Sequence, residues 1–317
     1  MSRLTHVASG PYAPPAPARE LTAVSADGAR LHVEVHGTVD TVDAADAAAP
    51  AAVPTVVLAH GWTCSTAFWA AQIRDLAVDH RVIVYDQRGH GRSPAHPVCS
   101  TDALADDLEA VLAATLAPGE KAVLAGHSMG GMTLMAASGR PGFREHAAAV
   151  LLCSTGSSRL VAESRIVPMR AGRTRTWLTK QILGSRAPLG PVTPLARRIL
   201  KYGTMGPGSA PVMVEACARI VHACPRRVRY AWSKVLDLLD LDQGVRELTV
   251  PTAVVVGTAD RLTPVVHARS LAAALPDCVS STELPGIGHM TPVEAPELVT
   301  ARIRELVTTY AVIKEGA

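Results

Sequence analysis

The chain has 317 residues, 48% of them hydrophobic and 19% charged, with a mean hydropathy of +0.19. It can bury a large core and is too apolar and too weakly charged for intrinsic disorder. A net charge of +3 and an aromatic content of 3% argue against nucleic-acid binding, which needs a basic surface and stacking side chains. The longest apolar stretch, 47–59, is interrupted by Pro50, Pro54 and Thr55, so no integral membrane segment is expected.

In chain order, residues 1–20 are rich in Pro and Ala and read as a flexible tail without the apolar region of a secretory leader. Six cysteines (Cys64, Cys99, Cys153, Cys217, Cys224 and Cys278) are scattered, with no CxxC pair. Six reduced thiols in a cytoplasmic protein are therefore expected, and no His/Cys/carboxylate cluster has metal-ligand spacing. Residues 21–26 and 30–36 flank Asp27-Gly28, a dipeptide favoured in two-residue hairpins. Residues 38–54, mostly Ala, Asp, Val and Thr, read as a surface loop.

From Thr55 the rhythm changes. Short apolar runs at 55–59, 82–85, 122–125, 148–153, 253–256 and 279–284 read as strands. Between them lie segments of helical period: Leu104, Leu108, Val111 and Leu112 share one face, as do Val299, Ile303, Leu306 and Tyr310. Thr291-Pro292-Val293-Glu294 predicts the start of the last helix with a capping box. Apolar strands alternating with amphipathic helices imply an α/β fold with a parallel sheet covered on both faces.

Residues 156–235 break the alternation. They contain no strand pattern but several helical ones, including Met213, Cys217, Ile220, Val221 and Cys224, and a helix from Pro194 to Tyr202 that stops at Gly203. Of the chain's 31 basic and 28 acidic residues, 15 basic and only two acidic ones (Glu163 and Glu215) fall here, a net of +13; the remaining 16 and 26 give −10. Such a segment is either a solvated helical face or an attractor for an anionic substrate, an acidic carrier protein or a membrane surface.

The sharpest chemical signal is Gly126-His127-Ser128-Met129-Gly130, between a strand pattern and a helix. A strand turning sharply into a helix lifts the middle side chain out of the sheet, and the flanking glycines permit the crowded backbone. A serine hydroxyl needs a neighbouring base to be a nucleophile. His289, in Gly286-Ile287-Gly288-His289 after the last strand, is the best placed of the 12 histidines. Asp260 follows the strand 253–256 and can hold the imidazole from behind. All three lie at strand C-terminal ends, where open α/β sheets place their sites. Asp86, His60 and His127 read as structural residues, Asp237, Asp240 and Asp242 as helix-end and loop residues, and Cys64 as a buried thiol near the site.

With His60-Gly61-Trp62 and Asp86-Gln87-Arg88-Gly89-His90-Gly91-Arg92-Ser93 added, the sequence from Leu21 onward resembles the α/β-hydrolase superfamily, in particular its esterase-like and cofactor-free haloperoxidase-like branches. The resemblance implies an α/β-hydrolase fold: a mostly parallel eight-stranded sheet with helices on both faces, a core of residues 21–155 and 236–317, and a helical cap at 156–235. It further implies Ser128 as nucleophile, His289 as base, Asp260 as acid, and the backbone N–H groups of Trp62 and Met129 as oxyanion hole, with no metal or organic cofactor. The expected activity is that of a serine hydrolase cleaving an ester or related acyl substrate, a small molecule that is neutral, anionic or carrier-bound. C–C bond hydrolysis, perhydrolysis, thioester hydrolysis or acyl transfer on the same triad stay open, as does a ligand-binding module without turnover. Oligomeric state stays open as well.

Overall fold

The computed structural model describes residues 12–37 and 53–311; the expected loop at 38–54 and most of the expected tail lie outside these residues. Eight strands form one sheet: β1 (Arg19–Val24), β2 (Arg30–His36), β3 (Thr55–Ala59), β4 (Arg81–Tyr85), β5 (Ala122–His127), β6 (Ala147–Cys153), β7 (Thr252–Gly257) and β8 (Cys278–Leu284). Their order is β1-β2-β4-β3-β5-β6-β7-β8. The β1–β2 and β2–β4 pairs are antiparallel, and every other pair is parallel.

The central strands are apolar at nearly every position, with polar residues only at their ends (Thr55, Arg81, His127, Thr252), because both of their faces are covered. Val57, Ala59, Ile83, Tyr85 and Leu124 enter one core, while Val56, Leu58, Val82, Val84 and Val123 enter the other, as the two-residue period of a strand requires. The first core is closed by α2 (Thr101–Thr115), α3 (Met129–Ala137), α4 (Pro141–His146), α10 (Asp242–Glu247) and α11 (Val265–Ala274); the second is closed by α1 (Ala70–Leu76) and α13 (Pro296–Leu306). Leu104, Leu108, Val111 and Leu112 are all buried on α2, and Ser100 caps that helix by accepting from the Ala103 amide.

Several boundaries differ from the sequence expectation. β1 begins at Arg19, inside the expected tail, because Arg19 and Glu20 pair with Val35 and Glu34. The turn to β2 spans residues 25–29 rather than two: Gly28 takes a φ of +85° and Asp27 Oδ1 accepts from the Ala29 amide. The last helix is broken. A single turn, α12 (Thr291–Glu294), ends at Ala295, whose φ of −139° and ψ of 57° reflect the clash of a pre-proline residue with Pro296. Tyr310, expected on the buried face, is exposed beyond the end of α13, whereas Val299, Ile303 and Leu306 are buried.

Residues 156–235 contain α5 (Leu160–Glu163), α6 (Arg173–Leu183), α7 (Pro194–Thr204), α8 (Pro211–Ala223) and most of α9 (Arg226–Asp237). The only strand-like contact there is an isolated bridge from Ser158 to Asp240. α7 continues through Gly203 instead of stopping at it. α9 reaches the sheet's loops: Trp232 Nε1 donates to the Arg88 carbonyl at 3.2 Å, and a Cβ on Gly89 would meet Val228 at 2.9 Å.

Candidate active site

Ser128 stands between β5 and α3 at φ 51° and ψ −116°. A non-glycine residue held there costs on the order of 1–3 kcal/mol, sustained by its surroundings. Its amide donates to the Cys153 carbonyl at 2.9 Å, extending the β5–β6 ladder by one bond. Its own carbonyl accepts from Thr155 Oγ1 at 2.7 Å and from the Met132 amide at 3.1 Å. The flanking glycines are steric necessities: a Cβ on Gly130 would collide with the Ala59 carbonyl, and one on Gly126 would run into the backbone at Gly130–Gly131.

Asp260 and His289 converge from the loops after β7 and β8. His289 Nδ1 lies 2.8 Å from Asp260 Oδ2, and both side chains are buried. The carboxylate is fixed by further donors: the Leu262 and Thr263 amides reach Oδ1 at 2.8 and 2.9 Å, and Thr263 Oγ1 donates to Oδ2 at 2.8 Å. Thr263 Oγ1 also lies 3.1 Å from His289 Nδ1. With the acceptor carboxylate facing Nδ1, the imidazole proton is assigned there, leaving Nε2 as the basic nitrogen. Sequence reasoning did not single out Thr263, although its place in Asp260-Arg261-Leu262-Thr263 was visible.

His127 braces the imidazole from the other side. Its Nε2–H donates to the His289 carbonyl at 2.8 Å, and the two rings lie 4.9 Å apart. Burial, reinforced by the adjacent His289, drives the His127 pKa well below its usual value, so no second cation opposes a charged His289.

The loop after β3 presents Trp62. Gln87 N–H donates to His60 Nε2 at 3.1 Å, so His60 Nδ1–H donates to the Gly61 carbonyl at 2.8 Å. Burial lowers the His60 pKa to about 3 and keeps this brace neutral. The Cys64 amide donates to the same carbonyl at 3.1 Å, closing a turn with Thr63 at φ +65°. A Cβ on Gly61 would meet His127 Nδ1 at 2.7 Å and Ser128 Cβ at 3.1 Å, so the Trp62 loop lies directly against the Ser128 turn. Met129 is the first residue of α3, a position whose amide has no partner within its helix.

Ser128 and His289 line one cavity of about 840 Å³ with Trp62, Leu178, Ile199 and Tyr202. Its wall is therefore shared between the sheet's C-terminal loops and helices α6, α7 and α9. Cys64 also lines it; burial pushes that thiol far up, so it contributes a protonated, apolar surface. Of the cations at the cavity, Lys180 pairs with Asp237 at 2.6 Å, and Arg229 is spent on the carbonyls of Ser185 and Ala187.

The remaining acidic candidates brace the frame. Asp86 accepts from the Thr66 and Arg92 amides at 2.8 and 2.7 Å, and burial raises its pKa to about 6. Asp242 accepts from Ser157 Oγ at 2.6 Å. Among the described residues, Glu20, His32 and Glu34 bring potential ligand atoms within 4.8 Å of one another. Strand pairing assembles this group where sequence spacing showed none. Arg92 already forks onto Glu20 at 2.6 and 2.8 Å and so supplies the opposing charge.

The sequence profile of the alpha/beta hydrolase family matches residues 56–302. The chain belongs to the alpha/beta hydrolase family. RutD of Variovorax paradoxus strain S110, which carries a provisional carbamate hydrolase name, is 30% identical over 269 residues, covering 82% of this hydrolase and 89% of that protein. The pimeloyl-[acyl-carrier protein] methyl ester esterase of Chromobacterium violaceum is 30% identical over 243 residues, 74% of this chain and 87% of that one. Among solved structures, a thermophilic esterase from Thermogutta terrifontis superimposes with a TM-score of 0.70 at 25% identity, covering 92% of this chain and 99% of that chain. The protein is thus a hydrolase whose named relatives include esterases.

Proposed function

We propose that this hydrolase cleaves carboxylic esters through Ser128, His289 and Asp260. The observation that carries the reading is the convergence of an Asp260-bound imidazole and a strained serine on one cavity. In the first half-reaction His289 Nε2 takes the Ser128 hydroxyl proton while Oγ bonds to the ester carbonyl carbon. The negative charge forming on the carbonyl oxygen is met by the Trp62 and Met129 amides. Collapse breaks the carbon–alkoxide bond, and the proton on His289 leaves with the alcohol. Water then attacks the acyl-enzyme, giving its proton to His289, and the acid is released as Ser128 regains a proton. Asp260 stays ionised throughout and stabilises the imidazolium.

Residues 156–235 act in this reading as a cap that shapes the substrate cavity. The apolar residues at the cavity favour an ester with a substantial apolar portion. Among the described residues no helix is long and apolar enough to cross a membrane.

The test is labelling with a fluorophosphonate probe followed by turnover of a panel of nitrophenyl esters, a carbamate and a diketone. Ester turnover with labelling at Ser128 is expected. Labelling elsewhere, or cleavage of the diketone alone, would overturn the reading.

A further inference from the structure

α7 is an eleven-residue helix with no fully buried residue. Leu195, Ile199 and Tyr202, at i, i+4 and i+7, are 66, 64 and 43% exposed, and on neighbouring α6 Trp177 and Ile182 are 58 and 55% exposed. Trp177, Ile182, Ile199 and Tyr202 also line the cavity that holds Ser128 and His289. The exposed apolar surface is therefore continuous with the cavity; among the described residues Arg261 stacks on the Tyr202 ring at 4.5 Å, and the rest of the surface stays exposed.

The acidic groups near this surface are neutralised, Asp237 at the cavity by Lys180. The two acidic residues of the segment are already paired, Glu163 with Arg159 and Glu215 with Arg197 and Arg219. Arg170, Arg173 and Arg198 are exposed and, among the described residues, make no side-chain hydrogen bond or ion pair. Arg198 follows the stripe residue Leu195 by three positions on α7, close enough in angle to border the stripe.

We propose that the α6–α7 face docks on an anionic lipid surface. Aliphatic and aromatic side chains on one face, bordered by unpaired arginines, are the composition of a helix lying in a bilayer interface. The stem of an arginine can then follow the apolar surface while its guanidinium meets a phosphate. An acidic protein would match the arginines, but the width of the aliphatic stripe and its continuity with the cavity favour acyl chains. Docked this way, an ester dissolved in the bilayer enters the cavity without crossing water. Only this delivery step rests on the function proposed above; the docking itself does not.

Flotation of the full chain with vesicles of phosphatidylcholine, with and without 30% phosphatidylglycerol, tests the proposal. Wild type and Ser128→Ala should float equally with the anionic vesicles and at least tenfold less with the neutral ones. A Leu195→Asp/Arg198→Glu variant, altered outside the cavity lining, should partition at least tenfold more weakly while keeping its melting temperature and its rate on a water-soluble acetyl ester. The emission of the four tryptophans should shift to the blue with anionic vesicles, and that shift should be lost in the double variant and in Trp177→Phe. Absence of flotation, flotation unaffected by the double substitution, or tight binding to an acidic carrier protein in place of vesicles would each overturn the docking assignment. Flotation with no fluorophosphonate labelling would leave docking standing and remove the esterase reading.

Discussion

The backbone amide of His289 donates to the carbonyl oxygen of Thr204 at 2.8 Å, tying the proposed base to the last residue of α7. The contact is backbone on backbone, and glycine makes it possible: a Cβ on Gly288 would collide with the backbone at Met205–Gly206. The helix that carries the exposed stripe thus ends against the loop that carries the chemistry.

Glu294 fastens the same junction. Its Oε2 accepts from the Gly206 amide and Ser209 Oγ, both at 2.6 Å, and from the Gly288 amide at 3.1 Å. Its Oε1 accepts from the Met290 amide at 3.1 Å. Glu294→Gln replaces an acceptor with an NH2 group facing N–H donors, a loss of about 2–4 kcal/mol at 1.5–3 kcal/mol per charge-assisted bond. Because the His289 loop loosens, kcat should fall roughly tenfold or more. Thermal melts and steady-state kinetics check it; a stability loss with unchanged kcat would confine Glu294 to a structural role.

Ser128→Ala should abolish fluorophosphonate labelling and ester turnover while relieving little of the fold's stability. His289→Ala should lower kcat about as far, since the members of a triad act as a unit. Mass spectrometry of the labelled peptide identifies the nucleophile directly.

Asp260→Asn should cost on the order of 10⁴ in kcat by favouring the wrong His289 tautomer. Thr263→Val, which removes one donor to Asp260 Oδ2, should cost far less. Asp86→Asn should act on melting temperature, because Asp86 holds the Thr66 and Arg92 amides. Reversed effects of Asp86 and Asp260 on kcat would exchange their roles.

Acid lability has an assignable source. Burial lowers His60 to about 3 and His90 to about 4, both below the ordinary 6.5 of an unfolded chain. The unfolded state binds more protons below pH 6.5, so this stability is present above 6.5 and is lost as pH falls, by roughly 2–3 kcal/mol per residue at pH 4.5. Glu34 adds a lower window. Burial raises its pKa, but hydrogen bonds from His32 and His36 outweigh that and hold it at about 2; its contribution fades below about pH 4.5. Asp86, raised to about 6 by burial, works the other way and is relieved as pH falls from 6 to 4. The melting temperature should therefore drop between pH 7 and 4. His90→Gln, although less stable at pH 7, should lose less over that range in calorimetry.

The central parallel strands were legible in the sequence because a strand buried on both faces is almost wholly apolar, and few other local patterns produce such runs. The polar, half-exposed β1 and β8 carry a weaker signal, and the count of eight came from the family resemblance. The placement of Ser128, Asp260 and His289 at strand C-terminal ends followed from the same rhythm, and the glycines around Ser128 announced a turn that only glycine fits. What surrounds these residues depended on tertiary structure. Glu294 read locally as a capping-box carboxylate, yet two of its four donors, Gly206 and Ser209, lie 88 and 85 residues away in sequence, on a segment whose approach no nearby residue encodes. The segment's net +13 did not reveal that Lys180 is neutralised by Asp237 or that Arg229 is turned onto carbonyls. A helical period likewise records that α7 has an apolar side without recording what covers it. Local pattern fixes which side chains share a face; only the packing of distant segments decides whether that face meets a core, a cavity or water.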